Sequence, residues 1–440
     1  MRQAKQLTSL LAVLTLLVTF VFPFTNTTAY AEDELGLNAE AAILIDATSG
    51  KILYEKNSDK VLGVASMSKM MTEYLVLEAI EDGKIKWDQT VTIDEYVHKL
   101  SGAPGLSNIG LTQGETYTVK ELYEAMAIFS GNAATVALAQ VVGGTEKNFV
   151  KLMNEKAEEL GLKDYKFVNS SGLNNSSLLG QHPAGEENDE NLMSARATAK
   201  LAYHLVTDYP EVIDTAKKPE LKFKDGKTYK NFNWMLPGLI AEYNGVDGLK
   251  TGSTEFAGNC FTATAERDGK RYISVVMKAD SKMARFSETE KILNYAFNNF
   301  STEEIVEKGY QVKGQKTLPV AKGKEKSVAI ETNKAIDLIV KNGEKENLKT
   351  KLVLDKDKLD EDGNLVAPVK KGDKVGYLTL ESDNSDLGFL TEEGQKNISV
   401  DVVAAETVEK SNWFVLSMRA IGGFFGDMWD SITGAVKGLF

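Results

Sequence analysis

The 440-residue chain has one cysteine, Cys260, and only three histidines, His98, His182 and His204. A single cysteine can form neither an intrachain disulfide nor a thiolate metal cluster. Three histidines leave little for a histidine-built metal site and few candidates for Ser-His chemistry, so a hydrolase of this composition calls for another base. Positive charge is also short: 51 Lys and Arg stand against 63 Asp and Glu, a formal net charge of −12. No stretch is polybasic, which excludes nucleic acid as a partner. Against these shortages, 42% hydrophobic and 26% charged residues describe a globular protein with a core. The length predicts two or three domains, and no internal repeat of fixed period is present.

The N-terminus predicts export. Arg2 and Lys5 precede an apolar run from Leu7 to Phe24, and Ala29-Tyr30-Ala31 offers small residues for a cut before Glu32. Residues 1–31 therefore read as a signal peptide. Removing them deletes two basic and no acidic residues, giving 49 − 63 = −14 for the mature chain. The lone cysteine fits an envelope that does not rely on disulfides.

Residues 41–54 read as two strands turning at Thr48-Ser49-Gly50. A helix is predicted from Ser66 to about Glu81, stopped by Asp82-Gly83. Further helices are predicted at about 119–129, 133–142, 146–160 and 195–207. The acidic stretch 180–191 reads as a mobile surface loop. A strand over 246–252 is followed by a hairpin, 259–265 and 271–278, turning at Asp268-Gly269, and a helix over 286–299. Strands at both ends with helices between predict an α+β catalytic domain over 32–300, its terminal strands sharing one antiparallel sheet. From 301 to 405 the periodicity becomes β-like, in short runs such as Ser327–Ile330, Lys351–Leu354 and Val375–Thr379, which predicts a small all-β domain.

The last 32 residues differ again, with six aromatics among them. On a helical wheel Trp413, Phe414, Met418, Ile421, Phe424, Phe425, Met428, Trp429, Ile432, Val436 and Leu439 fall within an arc of roughly 160°. Arg419, Asp427, Asp430 and Lys437 lie opposite. Residues 406–440 are thus expected to form an amphipathic helix that lies in a membrane surface, the contact being made by 410–440. A helix docked on the protein's own core is the alternative.

Three short motifs carry chemistry. Ser66-Met67-Ser68-Lys69 places a serine and a lysine three residues apart on one helical face, at a helix start whose N–H groups favour a developing oxyanion. Burial or neighbouring cations can lower a lysine's pKa until it holds a neutral amine able to serve as base. Alone the motif is weak, since about two such matches arise by chance in a chain this long. Ser130-Gly131-Asn132 lies in a tight turn between helical segments; a second Ser-x-Asn, Ser382-Asp383-Asn384, reads as a surface turn. Lys250-Thr251-Gly252 sits on a strand, where a lysine, a threonine and a glycine without bulk suit an extended anionic peptide. The next N–H, that of Ser253, would face the reaction centre.

The order of the three motifs is what chance does not supply. The chain resembles the active-site serine penicillin-binding protein and β-lactamase superfamily, and within it the low-molecular-weight D-alanyl-D-alanine carboxypeptidases. Phe167-Val168-Asn169-Ser170-Ser171-Gly172-Leu173, Met193-Ser194-Ala195-Arg196 and Arg285-Phe286 agree with that group. Ala197 departs from it, where aspartate is usual, and is expected to affect packing only. The resemblance implies a β-lactamase/transpeptidase-like fold and no metal or cofactor. It implies that Ser66 attacks the carbonyl between two terminal D-alanines, Lys69 takes its proton, and Ser130 with Lys250 passes a proton to the leaving nitrogen. Asn132 would hold the peptide amide and Thr251 the substrate, beside Gly252. The N–H groups of Ser66 and Ser253 would form the oxyanion hole. The implied partners are a peptidoglycan stem peptide ending in D-Ala-D-Ala and β-lactam antibiotics. Arg285, after the strand that pairs beside Lys-Thr-Gly, is expected to read the substrate's terminal carboxylate; a surface arginine paired with Glu288 or Glu290 is the alternative. A β-lactamase, a D,D-endopeptidase or a transpeptidase would share these motifs, and an inactive envelope-binding protein would not need them. The second domain and the anchor argue against a β-lactamase. The histidines read as structural groups and Cys260 as a small core residue.

Overall fold

The computed structural model describes residues 33–381, 386–415 and 417–418. The expected signal peptide, the Ser382-Asp383-Asn384 turn and residues 416 and 419–440 of the expected amphipathic helix lie outside the described residues.

Five antiparallel strands form the central sheet: β1 (Ala41–Asp46), β2 (Ile52–Lys56), β3 (Val246–Thr254), β4 (Gly258–Arg267) and β5 (Lys270–Ala279). Their order is β3-β4-β5-β1-β2, so the first and last strands of the domain meet in one sheet through the β5–β1 pair. Asp268 and Gly269 both have positive φ, 51° and 74°, as a two-residue hairpin turn matched to strand twist requires. Along β1 every residue is buried, the mark of a strand covered on both faces. Ala41, Ile43 and Ile45, with Ile273, Val275 and Met277 of β5, join the core of the helical lobe. On the other face Phe261 of β4 meets Phe286 edge-on, ring centroids 5.2 Å apart.

Six longer helices of this domain are described: α1 (Lys69–Glu81), α2 (Val119–Phe129), α3 (Asn132–Gly143), α4 (Glu146–Glu159), α5 (Ala195–Asp208) and α6 (Ala284–Asn299), and α5 and α6 pack against the sheet. Local chemistry sets their starts. Thr118 and Glu121 close a reciprocal capping box on α2, Thr145 caps α4 and Ser194 caps α5. One boundary differs from the sequence reading. Ser66 does not open the α-helix; Ala65–Ser68 form a 3-10 turn, and α1 begins at Lys69. Ala65 enters that turn with a φ of 46°, a left-handed conformation costly to a residue with a Cβ, which shifts the regular helix downstream.

The 180–191 stretch is also better held than its composition suggests. Asn175 Nδ2 donates to the carbonyls of Ala184 and Glu186, both at 2.8 Å, and Lys166 pairs with Asp189 at 2.8 Å. Glu190 and Asn191 at its end are buried. Polar residues here serve as internal ties, a use that composition alone does not distinguish from solvation.

Past α6 the chain is β-rich, as expected. β6 (Phe300–Val306) pairs with β9 (Ile336–Lys341). Another sheet holds β7 (Thr317–Ala321), β8 (Ser327–Thr332), β10 (Lys349–Leu354), β11 (Leu365–Val366), β12 (Lys374–Glu381) and β13 (Ser399–Ala404) in the order β10-β12-β13-β8-β7-β11. Alternate residues of β8 and β13 point inward, and Val306, Ile336 and Leu338 share a core with Val328, Val402 and Leu378. Residues 386–390 return to the first domain at the β2 edge. Ile52 N–H donates to Gly388 O and Leu390 N–H to Gly50 O, both at 2.9 Å, while Lys51 pairs with Asp386 at 2.7 Å. An exposed strand edge is thereby covered.

Candidate active site

The Ala65–Ser68 turn, the α2–α3 turn and β3 converge on one another. Ser130 ends α2 in a left-handed conformation, φ 57°, and Gly131 leads into α3. This sharp reversal puts Ser130 and Asn132 on either side of one glycine, both buried. β3 lies against the Ala65–Ser68 turn. A Cβ built on Gly252 would fall on Val64 O and crowd Ala65 and Met67. The glycine of Lys-Thr-Gly thus makes room for the Ala65–Ser68 turn. Gly172, at a φ of 78°, comes so close from the other side that a Cβ would overlap Ala65 O.

Lys69 is fully buried and has three partners. Its Nζ lies 2.8 Å from Ser66 Oγ, 2.8 Å from Asn132 Oδ1 and 2.6 Å from Ser171 O. Two of these are carbonyl oxygens, which only accept. A neutral amine satisfies them with its two N–H bonds and is left with its lone pair for the Ser66 hydroxyl. Burial, and after it the charge of Lys250, holds the Lys69 pKa well below the ordinary lysine value, with Glu73 opposing. Lys250 Nζ lies 3.0 Å from Ser130 Oγ and 3.3 Å from Thr251 O. Its pKa is lowered by burial and also by Arg285, and Glu73 raises it.

Asn132 commits both ends of its amide inside the protein: Oδ1 to Lys69, and Nδ2 to Ser107 O at 2.9 Å. Its contribution to the site is therefore first the orientation of Lys69. Thr251 is buried beside Lys250, whereas Ser253 is exposed, its Oγ 3.3 Å from Asn259 Oδ1. Arg285 is buried, with Nη1 donating to Gly252 O at 3.2 Å and to Cys260 O at 3.4 Å. It makes no ion pair to Glu288 or Glu290; Glu288 binds Lys291 at 2.9 Å instead. The surface-arginine alternative therefore does not hold. Nε of Arg285 is buried without a partner, and burial lowers the guanidinium pKa to about 10.

Two contributors carried no assigned role in the sequence reading. One is the segment 168–172, which supplies Ser171 O to Lys69. Asn169 Oδ1 accepts from the N–H groups of Ser171 and Gly172 at 3.1 and 2.7 Å, and Glu146 Oε1 accepts from Ser170 N–H and Oγ–H at 3.1 and 2.6 Å. A backbone carbonyl leaves no side-chain signature, so only the density of Asn and Ser around it could have pointed there. The other is Glu73, buried one turn after Lys69; a carboxylate within the largely apolar run 70–77 was the available sign.

Two of the three histidines have partners within the fold. His98 Nδ1 is 2.7 Å from Leu111 O, and His204 stands 3.5 Å from Asp208. Cys260 is buried, its thiol pKa pushed up to about 11 by desolvation, which suits a core residue and not a nucleophile. Among the described residues no group of three or more His, Cys, Asp or Glu could hold a metal ion.

The D-alanyl-D-alanine carboxypeptidase family model, peptidase S11, matches residues 26–281. The chain belongs to that family. Residues 300–410 match the penicillin-binding protein 5 C-terminal domain. D-alanyl-D-alanine carboxypeptidase DacF of Bacillus subtilis is 34% identical over 421 residues, covering 95% of this chain and 98% of DacF. DacC of Escherichia coli is 32% identical, covering 97% and 96%. The crystal structure of a peptidoglycan synthesis regulatory factor (PBP3) from Streptococcus pneumoniae superposes with a TM-score of 0.67 at 35% identity, covering 84% of this chain and 99% of that one. This carboxypeptidase-family chain also resembles penicillin-binding protein D2 from Listeria monocytogenes, solved in an ampicillin-bound form: TM-score 0.52, 34% identity, 60% and 99% covered.

Proposed function

We propose that Ser66 is the nucleophile, and Lys69 the base, of a serine D-alanyl-D-alanine carboxypeptidase acting in cell wall metabolism. The observation that carries this is the environment of Lys69 Nζ, two carbonyl acceptors and one hydroxyl, which leaves the lone pair of a neutral amine for Ser66. Ser66 Oγ attacks the carbonyl between the last two D-alanines as its proton passes to Lys69. The oxyanion is held by the N–H groups of Ser66 and Ser253, at about 3 kcal/mol per donor. As the C–N bond breaks, Ser130 gives its proton to the departing D-alanine nitrogen and is reprotonated from the Lys250 side. Water then cleaves the Ser66 ester and restores the enzyme. A β-lactam is attacked in the same way, but its leaving nitrogen remains tethered and the ester persists. β-Lactamase or endopeptidase activity is the less favoured reading of the same residues.

Incubating the purified protein with a peptide ending in D-Ala-D-Ala, and separately with penicillin, tests the assignment. Free D-alanine and a slowly lost penicilloyl adduct support it. Rapid penicillin turnover without D-alanine release selects the β-lactamase.

Arg285 fits a reader of the substrate's carboxylate. It is a buried guanidinium with only backbone carbonyls as hydrogen-bond partners, reached through the Lys-Thr-Gly strand. Arg285→Ala is expected to weaken reaction on free-carboxylate peptides by roughly 2–4 kcal/mol, the range for losing one partner of a buried charge pair. An amide-capped analogue should lose much less. Equal losses on both substrates would assign Arg285 to the fold.

The domain roles follow the same reading: residues 1–31 direct export, 32–300 catalyse, 301–405 hold the site away from the membrane, and 406–440 anchor peripherally at its outer face. Trp413 and Phe414, 77% and 60% exposed, support an apolar face at the start of that last segment. Among the described residues no helix is long and apolar enough to cross a membrane. A chain ending near Glu409 is expected to be soluble and active, and Phe424→Asp with Phe425→Asp should release the full-length protein. Membrane fractionation of either variant would instead favour a docked helix.

A further inference from the structure

The mechanism leaves one buried ionisable side chain of the site unused. Glu73 stands four residues after Lys69 on α1, so the two share one helical face. It is 4% exposed, and the groups around it are as dry: Lys69 on α1 at 0%, Lys250 on β3 at 3% and Tyr123 on α2 at 2%. The Tyr123 hydroxyl is buried with no hydrogen-bond partner of good geometry. Arg285 on α6 is the next charge beyond Lys250, and Glu211 acts on Tyr123 from outside the cluster. Two amines and one carboxylate thus lie together where water is scarce.

We infer that Glu73 is a positioning residue whose negative charge sets how many protons the two site lysines hold, keeping Lys250 cationic while Lys69 is neutral. The inference rests on the assignment of Lys69 as base and Lys250 as the cation behind Ser130. That mechanism needs one proton shared between two adjacent amines. Burial pushes both towards the neutral form, the charge of Lys250 pushes Lys69 further, and Arg285 pushes Lys250 the same way. A nearby opposite charge favours protonation by about one to three pH units. With Glu73 ionised and one lysine protonated, the charges of these three groups cancel. Burial raises the Glu73 pKa to about 7, with Lys250 and then Lys69 opposing it, so the carboxylate is ionised above neutral pH.

The test is the pH dependence of acylation by penicillin for the wild type, Glu73→Gln and Glu73→Asp. The acid limb reports proton loss from Lys69 and the alkaline limb proton loss from Lys250. A carboxylate raises both lysine pKa values, so removing it lowers both, and the whole profile slides to lower pH. Glu73→Gln should move both limbs by about one to two units. Glu73→Asp, which keeps the charge but withdraws it by one methylene, should move them less. A lowered plateau with both limbs in place would mean that Glu73 serves packing alone, and would overturn the inference. If Glu73→Gln does not accumulate as folded protein, Glu73→Asp decides: displaced limbs support the inference and wild-type limbs overturn it. Locating the penicilloyl group in each variant separates the two levels. A label off Ser66 defeats the underlying assignment, whereas a label on Ser66 with unmoved limbs defeats only the role of Glu73.

Discussion

Ser66→Ala is expected to abolish covalent labelling by penicillin and release of D-alanine while leaving the fold intact. Alanine removes one oxygen from a turn whose other ties remain. The Met67 N–H still donates to Val64 O at 3.0 Å and Ser68 Oγ–H to Ala65 O at 2.7 Å. Lys69 loses the hydroxyl but keeps Asn132 Oδ1 and Ser171 O, so no carbonyl is orphaned. Thermal unfolding should shift by only a few degrees, since losing one hydrogen bond of a half-buried hydroxyl costs about 1 kcal/mol. The chemical loss should be on the order of 10⁶-fold, the scale seen when a nucleophile acting within a catalytic unit is removed. A labelled Ser66→Ala protein would move the nucleophile elsewhere.

Lys69→Ala is the second large effect. It should leave non-covalent binding and slow acylation by about 10²–10⁴-fold, the usual contribution of a positioned general base. No other described base is in place to substitute: Lys250 is directed at Ser130, 3.0 Å away, and the Glu73 carboxylate lies a turn farther along α1. The substitution also strips a donor from Asn132 Oδ1 and Ser171 O, at about 1–3 kcal/mol for each buried acceptor left unpaired. The rate must therefore be read at a temperature where the variant is folded by circular dichroism. Acylation near the wild-type rate would transfer the base role to another group.

What the sequence made legible was local. Thr118 and Glu121, Ser194, and Asp268-Gly269 fix helix starts and a hairpin by contacts within a few residues, and these elements lie where the pattern put them. The three motifs were legible because their chemistry resides in side chains at short spacing. The 3-10 turn at Ser66 was not, because it follows from packing against Gly252 and Gly172, about 185 and 105 residues downstream. The hold of Ser171 O on Lys69 was hidden for a different reason, since every residue has a carbonyl. The second domain's pairing with the β2 edge likewise joins residues more than 330 apart, and no local propensity records it.

The most direct test of the central claim is mass-spectrometric location of the penicilloyl group on the wild-type protein. Trypsin should release residues 61–69 in one peptide, which contains both Ser66 and Ser68, and fragmentation distinguishes the two. The account predicts a single adduct on Ser66. An adduct on Ser68, Ser130 or Cys260, or none at all, would contradict it.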